Sequence, residues 1–306
     1  MGSHVCDRLA HDGHELVILD DLSTGRVAQV HPAARFYQME LDSPWLDQLF
    51  AIERPEAVVH HAAQASVRRS VADPVFDARV NVLGTIALLQ ASVRHNVRRF
   101  VFASTGGAIY GEASVVPTPE DFRAAPISPY GASKLAAEVM MATFRAMSGL
   151  SYVALRYGNV YGPRQDPHGE AGVVAIFSRQ LLAGAEAVIT GDGEQTRDFV
   201  YVADVAEANA LALGSSTVGV FNVGTGRETT INEIFRILRE LTGSQQPDRH
   251  GPPRPGEQRR SAVEATRIGR ELGWRPKHAL RDGLEKTVAY FRTEMAATRP
   301  GPVATQ

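Results

Sequence analysis

Tyr130 and Lys134 are the residues of this sequence best suited to proton transfer. They stand four positions apart in Tyr130-Gly131-Ala132-Ser133-Lys134, and on a helix this spacing places both side chains on the same face, one turn apart. A free tyrosine has a pKa near 10, so its use as a base at neutral pH needs roughly 4 kcal/mol of extra phenolate stabilisation. A neighbouring ammonium, assisted by the positive nicotinamide of an oxidised cofactor, supplies such stabilisation, which predicts an acid–base pair acting on a substrate hydroxyl.

The alternative is a surface tyrosine and lysine that share a helix by coincidence. With eight tyrosines and three lysines in 306 residues, about 0.08 such pairs are expected by chance. The sequence therefore favours the functional interpretation.

Two further polar groups follow predicted strands. Ser104 and Thr105 come directly after an apolar run and precede two glycines, and open parallel sheets bind their ligands at strand carboxyl ends. Either hydroxyl could share a substrate proton with Tyr130. Asp20 closes another predicted strand, where a carboxylate accepts hydrogen bonds from a ribose 2′-hydroxyl and repels a 2′-phosphate, which indicates NAD rather than NADP.

The elements that must position these groups alternate between short apolar runs and longer helical patterns. This is typical of a parallel sheet covered by helices on both faces. Asp73 and Ser128 each precede a proline and serve as N-caps, and Gly149 supplies a stop, which predicts helices over 74–95 and 129–148. The predicted strands are Glu15–Leu19, Ala57–His60, Arg99–Ser104 and Ser151–Arg156, and the later helices are Ile231–Leu241, Glu264–Leu272 and Asp282–Arg292.

Composition restricts the class of partner. The chain is 44% hydrophobic and 22% charged with a formal charge of −2, so it can bury a core and lacks the one-signed surface that nucleic acid or an anionic membrane would select. The single cysteine, Cys6, cannot form an internal disulfide. With no apolar stretch of about 20 residues and no leader pattern, we expect a cytoplasmic enzyme acting on a small molecule.

Two other groups of residues suggest ligand contacts. His60 and His61 are adjacent but lack a second cluster at ligand spacing, so no metal site is predicted. Arg197 and Arg254 lie in loop-rich segments, and a guanidinium matches diphosphate oxygens. Among 29 arginines, each could equally be a solvated surface charge.

Taken together and in order, these residues resemble the extended short-chain dehydrogenases, the NAD-dependent epimerase/dehydratase family, and within it the UDP-glucose 4-epimerase branch. The resemblance runs from Gly2 to about Tyr290. It implies a Rossmann-type doubly wound parallel sheet with a smaller, loop-rich α/β C-terminal lobe, and it makes Tyr130, Lys134 and Thr105 the catalytic residues. The residues that it assigns to NAD binding are Gly2, Asp20, Asp21, Ser23, Thr24, Gly25, Glu40, Leu41, His61, Ala62, Ala63, Ala65, Asn81, Ser104, Tyr130, Lys134 and Tyr157.

The same resemblance implies a UDP-sugar substrate and a reversible oxidation at its C4. Tyr130, as phenolate, removes the O4 proton while hydride passes to NAD; the 4-keto sugar then turns over in the pocket, and hydride returns to its other face. Ser261 is small where a bulky tyrosine restricts the pocket, which predicts that UDP-N-acetylhexosamines are accepted beside UDP-glucose and UDP-galactose. The implied substrate contacts are Asn159, Val173, Val174, Arg197, Arg254, Glu257 and Ser261.

The chain departs from the family pattern at two places. The hydroxyl-bearing residue of the family usually stands four positions before the tyrosine that corresponds to Tyr110, and Gly106 occupies that place. The family also begins with a strand and a glycine-rich turn, of which this sequence keeps only Gly2, so we expect about a dozen residues of that unit to be missing before it.

Two other functions are compatible with the same motifs. A 4,6-dehydratase needs an acidic pair just before Tyr110, but Gly107 and Ala108 stand there and cannot transfer protons. Another NAD-dependent dehydratase or reductase of the family, or a non-catalytic NAD-binding scaffold, is the alternative. Retention of both Tyr130 and Lys134 favours an enzyme.

The motifs also predict a domain organisation. Residues 1–160 with about 190–222 are expected to form the NAD-binding domain, about 161–189 and 223–293 the substrate-binding lobe, and 294–306 a disordered tail. The helices predicted over 74–95 and 129–148 pair across a dimer in similar proteins, so a homodimer is expected.

Overall fold

The computed structural model describes residues 1–167, 172–253 and 258–298. The strands are β1 (Val17–Asp20), β2 (Arg35–Gln38), β3 (Ala57–His60), β4 (Arg99–Thr105), β5 (Ser151–Tyr157), β6 (Asn159–Tyr161), β7 (Val188–Thr190), β8 (Thr196–Arg197), β9 (Phe199–Tyr201), β10 (Gly219–Val223), β11 (Thr229–Thr230) and β12 (Arg249–Gly251). The helices are α1 (Gly2–His11), α2 (Leu46–Glu53), α3 (Val67–Ala72), α4 (Pro74–Ala78), α5 (Gly84–Arg94), α6 (Gly106–Ile109), α7 (Pro129–Ser148), α8 (Val173–Leu182), α9 (Val202–Gly214), α10 (Ile231–Thr242), α11 (Thr266–Leu272) and α12 (Leu280–Thr298). A 3-10 turn spans Val27–Gln29, and a π-helical segment, Arg79–Leu83, joins α4 to α5.

Four parallel strands form the central sheet, in the order β10-β5-β4-β3. β1 and β2 form a separate parallel pair, which is not hydrogen-bonded to β3 within the described ranges. α9 packs on one face of the central sheet and α7 on the other. The expected α/β class with a parallel, Rossmann-type sheet is therefore confirmed.

The middle residues of the central strands are mostly apolar because both faces of the sheet are covered. Phe100, Val101 and Phe102 in β4 are all fully buried. Phe102 packs with Met141 of α7, whereas Val101 packs with Val205 of α9. This double burial fixes the end of β4, where the candidate hydroxyl groups stand.

A second apolar core lies among α8, α10 and α12. Phe177 and Phe235 meet edge to face, with ring centroids 5.6 Å apart, and Leu284 is fully buried with them. None of the helices in the three described ranges is long and apolar enough to cross a membrane.

The predicted helix ends agree closely with the structure. The Asp73 carboxylate accepts a hydrogen bond from an amide in the first turn of α4, and the Ser128 hydroxyl does the same for α7. Gly149 ends α7 with a φ of 79°, a left-handed conformation that favours glycine. The helix predicted over 74–95 is interrupted by the π-helical segment.

The prediction of a disordered tail from residue 294 is wrong for residues 294–298. α12 continues to Thr298, and Glu294 forms an ion pair with Arg26 at 3.3 Å. A contact with a residue so distant in sequence cannot be seen from local periodicity. Residues 299–306 lie outside the described ranges.

Candidate active site

The first turn of α7 places Tyr130 and Lys134 together at the end of β4. Ser128 caps this helix and Pro129 occupies its first position, so the helix begins immediately before Tyr130. The Lys134 ammonium donates a hydrogen bond to the Ala103 carbonyl at 3.0 Å. The spacing predicted from the sequence is thus realised against the strand that carries the candidate hydroxyls.

The Lys134 side chain is almost completely buried. It is 3% exposed, and its ammonium lies 4.6 Å from the centroid of the Phe102 ring. Burial lowers the Lys134 pKa to about 8, although the carboxylates of Asp77 and Glu138 oppose this shift. The ammonium therefore gives up its proton more readily than that of a lysine in solvent.

The phenol of Tyr130 is a weaker acid than expected. Burial, and then the Asp77 carboxylate, raise its pKa to about 12, while a hydrogen bond with Thr105 acts in the opposite direction. In the protein by itself, Lys134 therefore does not bring the Tyr130 pKa below its ordinary value. The cost of burying a phenolate dominates, and the ammonium is engaged by the Ala103 carbonyl.

The structure separates the roles of Ser104 and Thr105. The Thr105 hydroxyl lies near the Tyr130 phenol and acts to lower its pKa. Ser104 instead donates its hydroxyl to Glu138 at 2.5 Å, within a buried ion pair in which Arg156 contacts the same carboxylate at 2.6 Å. Of the two hydroxyls, that of Thr105 is the one that faces the reacting phenol.

Gly106 departs from the family pattern for a steric reason. A Cβ at this position would lie 2.6 Å from Val263 Cγ1 and 3.2 Å from the Tyr157 carbonyl oxygen. Such approaches leave no room for a side chain, so a hydroxyl-bearing residue cannot stand at Gly106. Thr105, one position earlier, occupies the open end of the strand.

An acidic group stands at the end of β1, as predicted. The Asp20 carboxylate accepts a hydrogen bond from the Leu22 amide at 2.8 Å, and a Cβ at Gly25 would come within 2.9 Å of it. The glycine thus leaves the carboxylate open, and this arrangement fits the ribose diol of NAD. Around it, Asp21, Ser23, Thr24 and Glu40 are exposed, and Leu41 packs against Gly84 at the start of α5.

A second group of the residues predicted to bind NAD lies directly after β3. His61 stacks on Tyr157, with ring centroids 6.2 Å apart, and a Cβ at Gly2 would lie 3.8 Å from the His61 Cβ. Ala62 and Ala63 follow, half-buried, and Ala65 is exposed. This is a run of small side chains between α1 and the end of β5, as a flat cofactor would require.

A cluster of buried polar side chains contacts the backbone of this segment at Gln64. Asn81 accepts a hydrogen bond from the Gln64 amide at 2.9 Å and donates to Asp77 and Ser133. The sequence analysis assigned a role to Asn81 and overlooked Asp77. Its position four residues before Asn81, one helical turn away, is a signal that could have identified it.

The predicted substrate residues are only partly gathered at the site. A Cβ on Gly107 would lie 3.6 Å from Asn159 Oδ1 and 4.0 Å from Thr105 Oγ1, so the amide and the hydroxyl flank this glycine. Val173 is half-buried, whereas Val174 is buried in the core of α8, α10 and α12 and packs there rather than lining a surface. Val174 was expected to contact the substrate, and its position in this core shows that its side chain does not do so.

The remaining predicted contacts come from the C-terminal part of the chain. Arg197, in β8, is half-buried and donates to the Thr196 carbonyl at 2.7 Å. Ser261 is buried beside the segment that covers Gly106. Arg254 and Glu257 lie outside the described residues. Within the described ranges, no group of three His, Cys, Asp or Glu side chains is arranged to hold a metal ion.

The chain is similar to known proteins over nearly its whole length. Residues 1–224 match the model of a family described as the NAD dependent epimerase/dehydratase family. A UDP-glucose 4-epimerase of Mycolicibacterium smegmatis is 46% identical over 300 residues, which cover 96% of each chain.

Solved structures give the same result. The UDP-glucose 4-epimerase of Thermotoga maritima, solved with UDP-glucose, has a TM-score of 0.95 and 48% identity over 96% of both chains. The UDP-glucose 4-epimerase of Thermus thermophilus, solved with NAD, has a TM-score of 0.91 and 45% identity over 95% of both chains.

Proposed function

The chain belongs to the NAD dependent epimerase/dehydratase family, and on that premise we propose that it is a UDP-sugar 4-epimerase that interconverts UDP-glucose and UDP-galactose. The observation that carries the proposal is the position of Lys134 against the Ala103 carbonyl at the end of β4, one helical turn from Tyr130. Gly107, at the place where a dehydratase needs an acid, favours epimerisation over elimination of water.

In the proposed reaction, Tyr130 takes the proton from the sugar O4 and later returns it. Thr105, whose hydroxyl lies near the Tyr130 phenol, orients the sugar hydroxyl. The chemistry that NAD supplies when bound is reversible acceptance of hydride from C4, so no net redox change results. Because burial and Asp77 raise the Tyr130 pKa to about 12 in the protein alone, we expect the phenol to ionise only when the positive charge of oxidised NAD is beside it.

The chain's own residues account for cofactor binding at both ends. The Asp20 carboxylate would accept hydrogen bonds from the hydroxyls of the adenosine ribose, and Gly25 keeps that carboxylate accessible. His61 and the small residues after it would hold the cofactor from below, and Lys134 would bind its nicotinamide ribose. The acidic Asp20 predicts a preference for NAD over NADP.

On the substrate side, Asn159 lies beside Gly107, which also adjoins the Thr105 hydroxyl. Arg197 and Arg254 are proposed to hold the diphosphate, with Val173 and Glu257 at the nucleoside. Ser261, small and buried, leaves space beside the sugar. UDP-N-acetylhexosamines are therefore proposed as additional substrates.

The proposed enzyme is a homodimer that forms through α4, α5 and α7. Val75 in α4 and Met147 in α7 are each 78% exposed, and Leu83 and Val139 are more than half exposed. Exposed apolar side chains on neighbouring helices mark an interaction surface, and α4 and α7 pack side by side. Since NAD and nucleotide sugars are cytoplasmic metabolites, we place the enzyme in the cytoplasm.

Replacement of Tyr130 by phenylalanine tests the function. Tyr130→Phe removes the proton acceptor, so interconversion of UDP-galactose and UDP-glucose should fall by on the order of 10²- to 10⁴-fold. Turnover is followed with both hexoses and with UDP-N-acetylglucosamine in protein loaded with NAD.

The matched control is Tyr290→Phe in α12, which should keep full activity. Retained activity in Tyr130→Phe would reject the proposed chemistry. Failure with UDP-N-acetylglucosamine alone would reject only the role given to Ser261.

A further inference from the structure

Asp77 carries a buried carboxylate that the proposed reaction does not use. The residue lies in α4 and is 1% exposed. Its Oδ1 accepts hydrogen bonds from the side-chain amides of Gln64 at 2.8 Å and Asn81 at 3.0 Å. Its Oδ2 is buried and has no hydrogen-bond partner among the described residues.

The charge of Asp77 is thus held by neutral groups. Gln64 and Asn81 are amides, and no cation forms an ion pair with Asp77 in the part of the chain that the structure describes. Burying an uncompensated carboxylate is costly. A positive charge nearby would offset this cost.

Asn81 donates both to Asp77 and to Ser133, the residue before Lys134 in α7, so the Asp77 carboxylate lies beside the turn of α7 that carries the Lys134 ammonium. Of the two carboxylates that act on it, Glu138 is already compensated, because Arg156 contacts it at 2.6 Å and Ser104 donates to it. Asp77 is therefore the carboxylate near Lys134 whose charge no other cation compensates among the described residues. The titratable groups around the ammonium are Asp77 of α4, Glu138 and Tyr130 of α7, and His60 and His61 at the end of β3.

The two histidines do not compete for this role. Burial holds the pKa of His60 well below its ordinary value and lowers that of His61 to about 3, so both are neutral near pH 7. The charge balance of the pocket is therefore set by Asp77 and Lys134.

We propose that Asp77 is a positioning residue that acts as the counter-charge of Lys134 and keeps its ammonium protonated beside Tyr130. The inference rests on the proposed function for its catalytic meaning. The structure supports the direction of the effect, since Asp77 raises the pKa of both Lys134 and Tyr130.

The ionisation of Lys134 can be measured directly because the chain has only three lysines. In a Lys277→Arg/Lys286→Arg background, protein labelled with lysine enriched in ¹³C at Cε gives one resonance whose shift reports the Lys134 amine. Adding Asp77→Asn should lower the Lys134 pKa by about one unit. The amide keeps an acceptor for Gln64 and Asn81 and replaces an oxygen that had no partner.

The matched control is Asp73→Asn. It removes a carboxylate from the exposed start of α4 while asparagine still caps the helix, and it should leave the Lys134 pKa unchanged. If Asp77→Asn does not fold, Asp77→Ser gives the same comparison. A folded Asp77 variant with an unaltered Lys134 pKa would overturn the proposal.

Activity gives the second measurement. Removal of a negative charge favours the deprotonated forms of both groups, so both limbs of the pH profile of kcat should move to lower pH by about one unit in Asp77→Asn. A merely structural role would lower kcat without moving the limbs. The NMR titration needs no turnover, so it tests the counter-charge even if the proposed epimerase activity is wrong.

Discussion

Ser104 and Thr105 are neighbours in sequence, yet their hydroxyls contact different partners. The Thr105 hydroxyl lies near the Tyr130 phenol, whereas Ser104 belongs to the buried Glu138–Arg156 ion pair. At the scale of single residues, activity and stability should therefore be separable by substitution at adjacent positions.

Thr105→Val should lower kcat by on the order of 10- to 100-fold, the equivalent of one lost hydrogen bond to a charged group. Thr105→Ser, which keeps the hydroxyl, should retain most of the activity. Steady-state rates of UDP-galactose epimerisation provide the measurement.

Ser104→Ala is the contrasting variant. It should leave kcat nearly unchanged and lower the free energy of unfolding, measured in urea, by about 1.5–3 kcal/mol. The reverse pattern, with turnover lost in Ser104→Ala and kept in Thr105→Val, would show that the two roles are exchanged.

The sequence identified the reacting pair because helical spacing is a local property. Tyr130 and Lys134 follow from a cap, a proline and a four-residue interval. The choice between Ser104 and Thr105 depends on how β4 lies against α7, and the role of Asp77 depends on three elements meeting. Neither arrangement is visible in local patterns.

At the scale of elements, β3 ends in the buried His60 and is followed by the half-buried His61. The His60 imidazole lies 3.0 Å from the Thr85 hydroxyl, and burial depresses the pKa of both His60 and His61, the latter to about 3. The unfolded chain takes up these protons near pH 6.5, before the folded protein does. The contribution of the two neutral histidines to the stability of the fold is therefore complete above pH 6.5 and is lost as the pH falls below that value.

The free energy of unfolding should fall between pH 6.5 and 5, because both histidines must take up protons on unfolding. Urea denaturation at pH 7.5 and at pH 5 measures this loss. His60→Gln should make the loss smaller, and the exposed His14→Gln should not. Equal losses in both variants would contradict the assignment to β3.

Other elements show where sequence patterns fail. The strands predicted at 57–60, 99–104 and 151–156 are each correct to within one residue, since buried parallel strands are continuous apolar runs between polar ends. The first predicted strand, Glu15–Leu19, is shifted relative to Val17–Asp20. The π-helical segment was not predicted, because its extra residue is selected by tertiary contacts rather than by propensity.

At the scale of the whole molecule, the exposed apolar side chains of α4, the π-helical segment and α7 determine the expected assembly. Val139→Glu combined with Met147→Glu should weaken the dimer at least about 100-fold, since a carboxylate would be buried without a partner. Sedimentation velocity measures the mass. The control, Val188→Glu, alters an exposed valine in β7 and should remain dimeric, whereas a monomeric parent protein would refute the assembly itself.

The π-helical segment Arg79–Leu83 has an evolutionary consequence. Each residue of a helix turns it by about 100°, so deleting one residue there would restore regular winding and rotate everything on one side relative to the other. Asn81 would then leave Gln64, or Thr85 would leave His60. We expect related sequences to carry insertions and deletions in their surface loops and to carry none at the five positions of Arg79–Leu83.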